Sequence, residues 1–133
     1  MSREWQQTKM TEYLMPDAVY YQSLWAVRDY QRMEKRIREL HKDLDTGGSS
    51  VVNETGDRYT SSSKVEKKAL ELALLEDRVD GIKRAISGVP REYRAFILSN
   101  IILKNSGAGF PDKVWRSWKQ KFLYDVAHNL SMM

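Results

Sequence analysis

Six side chains between residues 113 and 124 have the chemistry to read nucleic acid. On a wheel at about 100° per residue, Lys113, Ser117, Gln120, Lys121 and Tyr124 share one side of a helix, with Arg116 at its edge. None of the six is acidic. Arginine can bond guanine and glutamine can bond adenine through paired hydrogen bonds, while serine, lysine and tyrosine reach bases or phosphates. The other side gathers Trp115, Trp118, Phe122 and Val126, flanked by Leu123 and Leu130. Tryptophans can stack on single-stranded bases. Here they share a stripe with Phe122 and Val126, so core packing is the better account. The competing reading of the six is a solvated basic face on an ordinary core helix.

Charge supports the sharper reading. The chain has 133 residues and a formal net charge of +4. Residues 1–88 carry fifteen basic and fifteen acidic side chains. Residues 89–133 carry Arg91, Arg94, Lys104, Lys113, Arg116, Lys119 and Lys121 against Glu92, Asp112 and Asp125. The whole excess lies in the last third, which points to an acidic partner there, and nucleic acid is the commonest one. Arg116 and Gln120, one turn apart, are the candidate base readers, with Ser117 between them. Lys121, Lys119, Lys104 and Arg94 lie towards the flanks and suit phosphates.

The elements that must carry these residues follow from hydrophobic spacing. Met15-Pro16-Asp17 reads as a helix start, after an N-terminal arm of residues 1–16. Over residues 19–44, Tyr20, Leu24, Val27, Met33, Ile37, Leu40 and Leu44 make one apolar stripe of a long helix. Gly47-Gly48-Ser49-Ser50 reads as its stop, and residues 46–62 as a flexible loop. Ser62 or Ser63 can cap a second helix, with Glu66 completing a capping box. That helix carries Val65, Ala69, Leu72, Leu75, Val79, Ile82 and Ile86 on its stripe and ends at Gly88-Val89-Pro90. Residues 17–88 are thus expected to form an antiparallel hairpin. Tyr20, Tyr21, Trp25 and Tyr30 leave apolar surface beyond one seam, so a homodimer is a candidate state.

The last third, residues 89–133, reads as two more helices. Pro90 opens PREYRAFILSNIILKN, Asn105 to Pro111 make a glycine-containing connection, and Asp112 caps a helix reaching about Leu130. Helix, glycine turn, helix is the outline of a helix-turn-helix unit. The expected fold is therefore all-α: an antiparallel helical hairpin followed by a C-terminal helix-turn-helix-like unit.

The stretch VPREYRAFILSNII, followed by VWRSWKQKFLYDVAHNL, resembles the C-terminal half of small phage late transcription regulators of the RinA/ArpU type. Those are themselves similar to the fourth region of bacterial sigma factors. The matching residues are Pro90, Tyr93, Arg94 and Ile97, then Trp118, Lys119, Phe122, Val126, Ala127, Asn129 and Leu130. The likeness covers about 40 residues. Only seven residues, 105–111, separate the two helices, so the extra helix usual between them in sigma-like domains has no counterpart. The resemblance implies a phage-encoded viral protein that binds double-stranded DNA, with host RNA polymerase a possible partner, in the cytoplasm of a bacterial host cell.

Other classes find little in the residues. Cysteine is absent, which removes disulfides, thiol nucleophiles and cysteine zinc sites. His41 and His128 lie far apart in sequence and make no histidine pair at the spacing of a helical metal site, and no nucleotide-binding or nucleophile motif occurs. Gly107-Ala108-Gly109 has no strand before it and reads as a turn, not a phosphate cradle. No enzyme, metal or cofactor is expected. Neither a signal peptide nor a run of about 18 apolar residues is visible, so no membrane association is expected. The expectation is a sequence-specific DNA-binding transcription regulator. The alternatives are a small terminase-type DNA-packaging subunit and a helical interaction module that binds no nucleic acid.

Overall fold

The computed structural model describes residues 6, 11–50, 58–104 and 109–133; for 46–50 and 58–62 it describes the backbone alone. Every regular element among them is helical. A short 3-10 turn, Thr11–Tyr13, precedes five helices: α1 Asp17–Arg28, α2 Tyr30–Ser50, α3 Arg58–Ser87, α4 Arg91–Leu103 and α5 Asp112–Asn129. The all-α class expected from spacing is the one found.

All three prolines stand immediately before a helix: Pro16 caps α1, Pro90 caps α4 and Pro111 caps α5. Proline has no N–H to leave unbonded, and its fixed φ suits a helix entry. An acidic residue follows in each first turn, Asp17, Glu92 and Asp112, where the positive end of the helix dipole favours it. The helix starts of the last third are each within one residue of expectation: Pro90 and Pro111 take the caps, and Arg91 and Asp112 are the first helical residues.

The long first helix is corrected. It breaks at Asp29, whose φ of −85° and ψ of 0° end α1 before α2 begins at Tyr30. The apolar stripe explains the break. Tyr20, Leu24 and Val27 recur at four and three residues, then the next seam residue, Met33, comes six later. The slip turns the apolar direction by about one residue, roughly 100°, so the two halves serve different cores. Arg28 secures the first half by donating from Nε to the Ile101 carbonyl at 2.8 Å.

The chain accordingly forms two compact units, one of residues 30–79 and one of residues 1–29 with 80–133. In the first, Met33 and Leu40 of α2 are buried, as are Leu72, Leu75 and Val79 of α3. Arg36 holds Glu71 through two bonds, Nε to Oε2 at 2.8 Å and a terminal nitrogen to Oε1 at 3.0 Å. Lys68 meets Asp43 at 3.5 Å. Asp43 lies beyond Arg36 on α2, whereas Lys68 precedes Glu71 on α3, so the helices run antiparallel. His41 completes the surface links at 3.3 Å from Glu76. The hairpin exists, but α1 is not part of it.

Its ends also differ from expectation. The α2 backbone continues through Gly47 and Gly48 to Ser50. Each glycine costs only about 1 kcal/mol relative to alanine, and extending a formed helix is easier than starting one. Helix α3 begins at Arg58, so Ser62 and Ser63 are inside it and cap nothing. Of the expected loop, residues 51–57 lie outside the described residues.

The second unit packs α1, α4 and α5 against one another. Tyr20, Leu24 and Val27 of α1, Ile97 and Ile101 of α4, and Phe122, Leu123 and Val126 of α5 are at most 2% exposed. Residues 80–87 of α3 add Ile82 and Ala85. Gly81 permits the closest approach there. A Cβ on it would meet Leu130 Cδ2 at 2.9 Å, and its carbonyl accepts from Asn129 Nδ2 at 2.9 Å. Of the aromatics expected to leave apolar surface, Tyr20 is buried, Tyr21 and Tyr30 are half-buried, and Trp25 is 67% exposed.

Candidate nucleic-acid interface

The opening of α5 is fixed by an aromatic stack on α4. Phe110 lies between Tyr93 and Phe96, with ring centroids 4.9 and 5.1 Å away, and Phe96 meets Trp115 edge-on at 5.2 Å. Trp115 Nε1 donates to Asp112 Oδ1 at 3.1 Å, so the indole locks the first turn. Asp112 is spent on this bond and not on a backbone cap. Among the connecting residues, 105–108 lie outside the described residues, so the expected turn at Gly107 and Ala108 does too. Gly109, with φ +95°, adopts the left-handed region that glycine favours.

The structure divides the expected site residues sharply. Lys113 and Arg116 are exposed, three residues apart on the first turns of α5. The Arg116 guanidinium lies over the Trp115 ring, 5.5 Å from its centroid, which holds the head group near the helix opening. Ser117 follows, half-buried, its hydroxyl donating to the Lys113 carbonyl at 2.7 Å. Lys104 is exposed at the end of α4 in a left-handed conformation, φ 58°. Lys121 is half-buried and donates to Asp125 Oδ2 at 2.7 Å, which offsets much of its charge. Tyr124 is half-buried, with Tyr13 edge-on at 5.4 Å and the His128 ring at 4.6 Å.

Two expectations are corrected, and a third residue is engaged with its own chain. Gln120 does not face outward. It is 1% exposed, and its amide donates to the Tyr13 carbonyl at 2.8 Å and to Gln6 Oε1 at 3.2 Å. Gln6 in turn donates to the Met15 carbonyl at 2.7 Å and accepts from the Met15 N–H at 3.1 Å. Gln6 and Tyr13 therefore lie over that edge of α5. Lys119 is likewise inside, 9% exposed, donating to Asn100 Oδ1 at 2.9 Å with its ammonium 5.9 Å from the Trp115 ring centre. Arg94 is half-buried and bonded to its own chain, donating to the carbonyls of Val89 at 2.7 Å and Ser87 at 3.0 Å. There it satisfies groups that the end of α3 leaves unbonded.

Two of these placements had a signal in the sequence. On the wheel Lys119 falls between Val126 and Leu123, in the middle of the apolar arc, and Gln120 falls beside Ala127 at its edge. A stripe drawn from the aromatic residues alone missed both. Their partners Gln6, Tyr13 and Asn100 had no comparable signal, because each is paired across the fold. Among the described residues no cluster of His, Asp or Glu could hold a metal, and no helix is long and apolar enough to cross a membrane. No family model, no curated protein and no solved structure matches this chain.

Proposed function

We propose that this chain is a sequence-specific DNA-binding transcription regulator, of the phage late-regulator kind its last third resembles, presenting the opening turns of α5 to the major groove. The observation that carries the reading is the exposed pair Lys113 and Arg116 at the start of the second helix of a helix–turn–helix order. In helix-turn-helix docking the N-terminal residues of the second helix meet base edges. Arg116 is the base reader, with Ser117 beside it, while Lys113 and Lys104 meet phosphates. Lys121 and Tyr124 border this surface. Gln120 and Lys119, buried in the unit, and Arg94, engaged with its own chain, have no part in the contact.

Selection of bound fragments from a genomic library with the purified protein tests this reading. One enriched sequence is the expected result. Affinity for it should fall with salt at a log–log slope of about −0.9 per phosphate neutralised. Arg116→Ala should cost about 1–3 kcal/mol at the enriched site and little on scrambled DNA. No binding at low salt sinks the proposal. A helical interaction module is the second reading, favoured by the leucines that the hairpin leaves exposed, and it expects no DNA affinity at moderate salt.

A further inference from the structure

Helix α3 has two apolar faces within the hairpin unit, and α2 accounts for one. Leu72, Leu75 and Val79 are buried in the seam, whereas Leu70 is 71% and Leu74 56% exposed, one turn apart on another face. Ala73 and Ala69 are exposed beside them. Exposed leucines one turn apart on a helix are an unfilled packing strip. Its borders are charged in an ordered way. With the Leu70–Leu74 direction as centre and about 100° per residue, Glu66 and Asp77 fall on one flank, Lys67 and Arg78 on the other. All four are exposed, and none has an ion-pair partner among the described residues.

We infer that this strip pairs with the same strip of a second copy of the chain, the two α3 helices side by side and parallel. A two-fold axis along the helices brings the acidic flank of one copy against the basic flank of the other at equal height. Glu66 then faces the second copy's Lys67, and Asp77 faces its Arg78. Both attractions occur twice, once on each side of Leu70 and Leu74, which meet their own equivalents across the axis. The antiparallel alternative sets Glu66 against Asp77 and Lys67 against Arg78, four like-charge contacts. The same four residues thus favour one orientation and oppose the other, as flanking charges do in paired helices. From Glu66 to Arg78 the strip is about 18 Å long, which suits a reversible dimer rather than a permanent one.

Sedimentation equilibrium of the full chain over a wide concentration range gives the test. Wild type should show a monomer–dimer equilibrium. Leu70→Glu should abolish it with helix content and melting temperature unchanged, since Leu70 is mostly exposed in the single chain. Glu66→Lys should raise the dimer dissociation constant about tenfold, and the double variant Glu66→Lys/Lys67→Glu should restore it. The chain has no cysteine of its own, so Leu74→Cys reports the orientation directly. In the parallel pair the introduced thiol of one copy meets that of the other, and mild oxidation should give a cross-linked dimer. A strictly monomeric wild type overturns the inference. So does a dimer indifferent to Leu70→Glu, which would put the contact elsewhere, for instance at Trp25. Tightening by Glu66→Lys would show the antiparallel pairing instead.

Discussion

The unit built from α1, α4 and α5 encloses polar side chains with their partners, while the hairpin of α2 and α3 keeps its polar links at the surface. Gln120 and Lys119 are within the former, bonded to Tyr13, Gln6 and Asn100. Among the described residues no buried side-chain polar atom lacks a partner. In the hairpin, Arg36–Glu71, Lys68–Asp43 and His41–Glu76 cross between helices whose buried contact is one apolar seam. Buried amides specify a single arrangement because any other leaves them unbonded. Surface ion pairs specify less, since water replaces them at little cost. One unit is therefore expected to be rigid in register, and the other adaptable.

The largest test of that contrast removes apolar bulk from each side. Phe122→Ala should cost about 3–5 kcal/mol and Leu40→Ala about 2–5 kcal/mol. Hydrogen exchange should then show faster exchange in α1, α4 and α5 for the first variant and in α2 and α3 for the second. Equal acceleration of all five helices by either variant would deny that the units differ.

A smaller effect belongs to the clasp. Gln120→Leu keeps the bulk but removes the donor to the Tyr13 carbonyl and one of the two donors to Gln6 Oε1, at about 1–3 kcal/mol. Combined with Gln6→Ala, the losses should be well short of additive in denaturant unfolding. Strict additivity would mean that the two glutamines do not act together.

The hairpin pair Arg36–Glu71 should respond to pH and salt instead. Bonding to the Arg36 guanidinium lowers the Glu71 pKa against an opposing effect of burial, and the same contact raises that of Arg36. A carboxylate with a lowered folded pKa stabilises the fold above the ordinary glutamate range, and the gain is lost as pH falls through the folded value. Glu71→Gln should remove this acid-side dependence and be nearly silent in high salt. An unchanged pH profile of thermal unfolding would show that the pair contributes nothing. The smallest effect is expected at Arg116, where alanine should alter stability by no more than about 0.5 kcal/mol. A larger loss would mean that Arg116 holds the Trp115 ring in place and is not merely presented by it.

What the sequence by itself determined is the all-helical class and, within a residue, the starts of α1, α4 and α5. Apolar residues at three- and four-residue spacing, and three prolines each followed by an acid, act through local geometry and need no distant partner. The middle of the α2–α3 seam, Leu72, Leu75 and Val79 opposite Met33 and Leu40, was legible for the same reason, although the expected Val65 and Ala69 are exposed. The exposed pair Lys113 and Arg116 was legible too. Even the break at Asp29 had a local trace, in the six residues from Val27 to Met33. The wheel positions of Lys119 and Gln120 hinted at burial, but tertiary structure alone supplied the partners that hold polar side chains in place. Gln120 is buried because Gln6 and Tyr13 lie across it, and Arg94 is occupied because the chain turns at Ser87 and Val89. A glutamine or arginine has the same character on a free face and on a covered one. Only the partner that covers it, brought from up to 114 residues away, determines which it is.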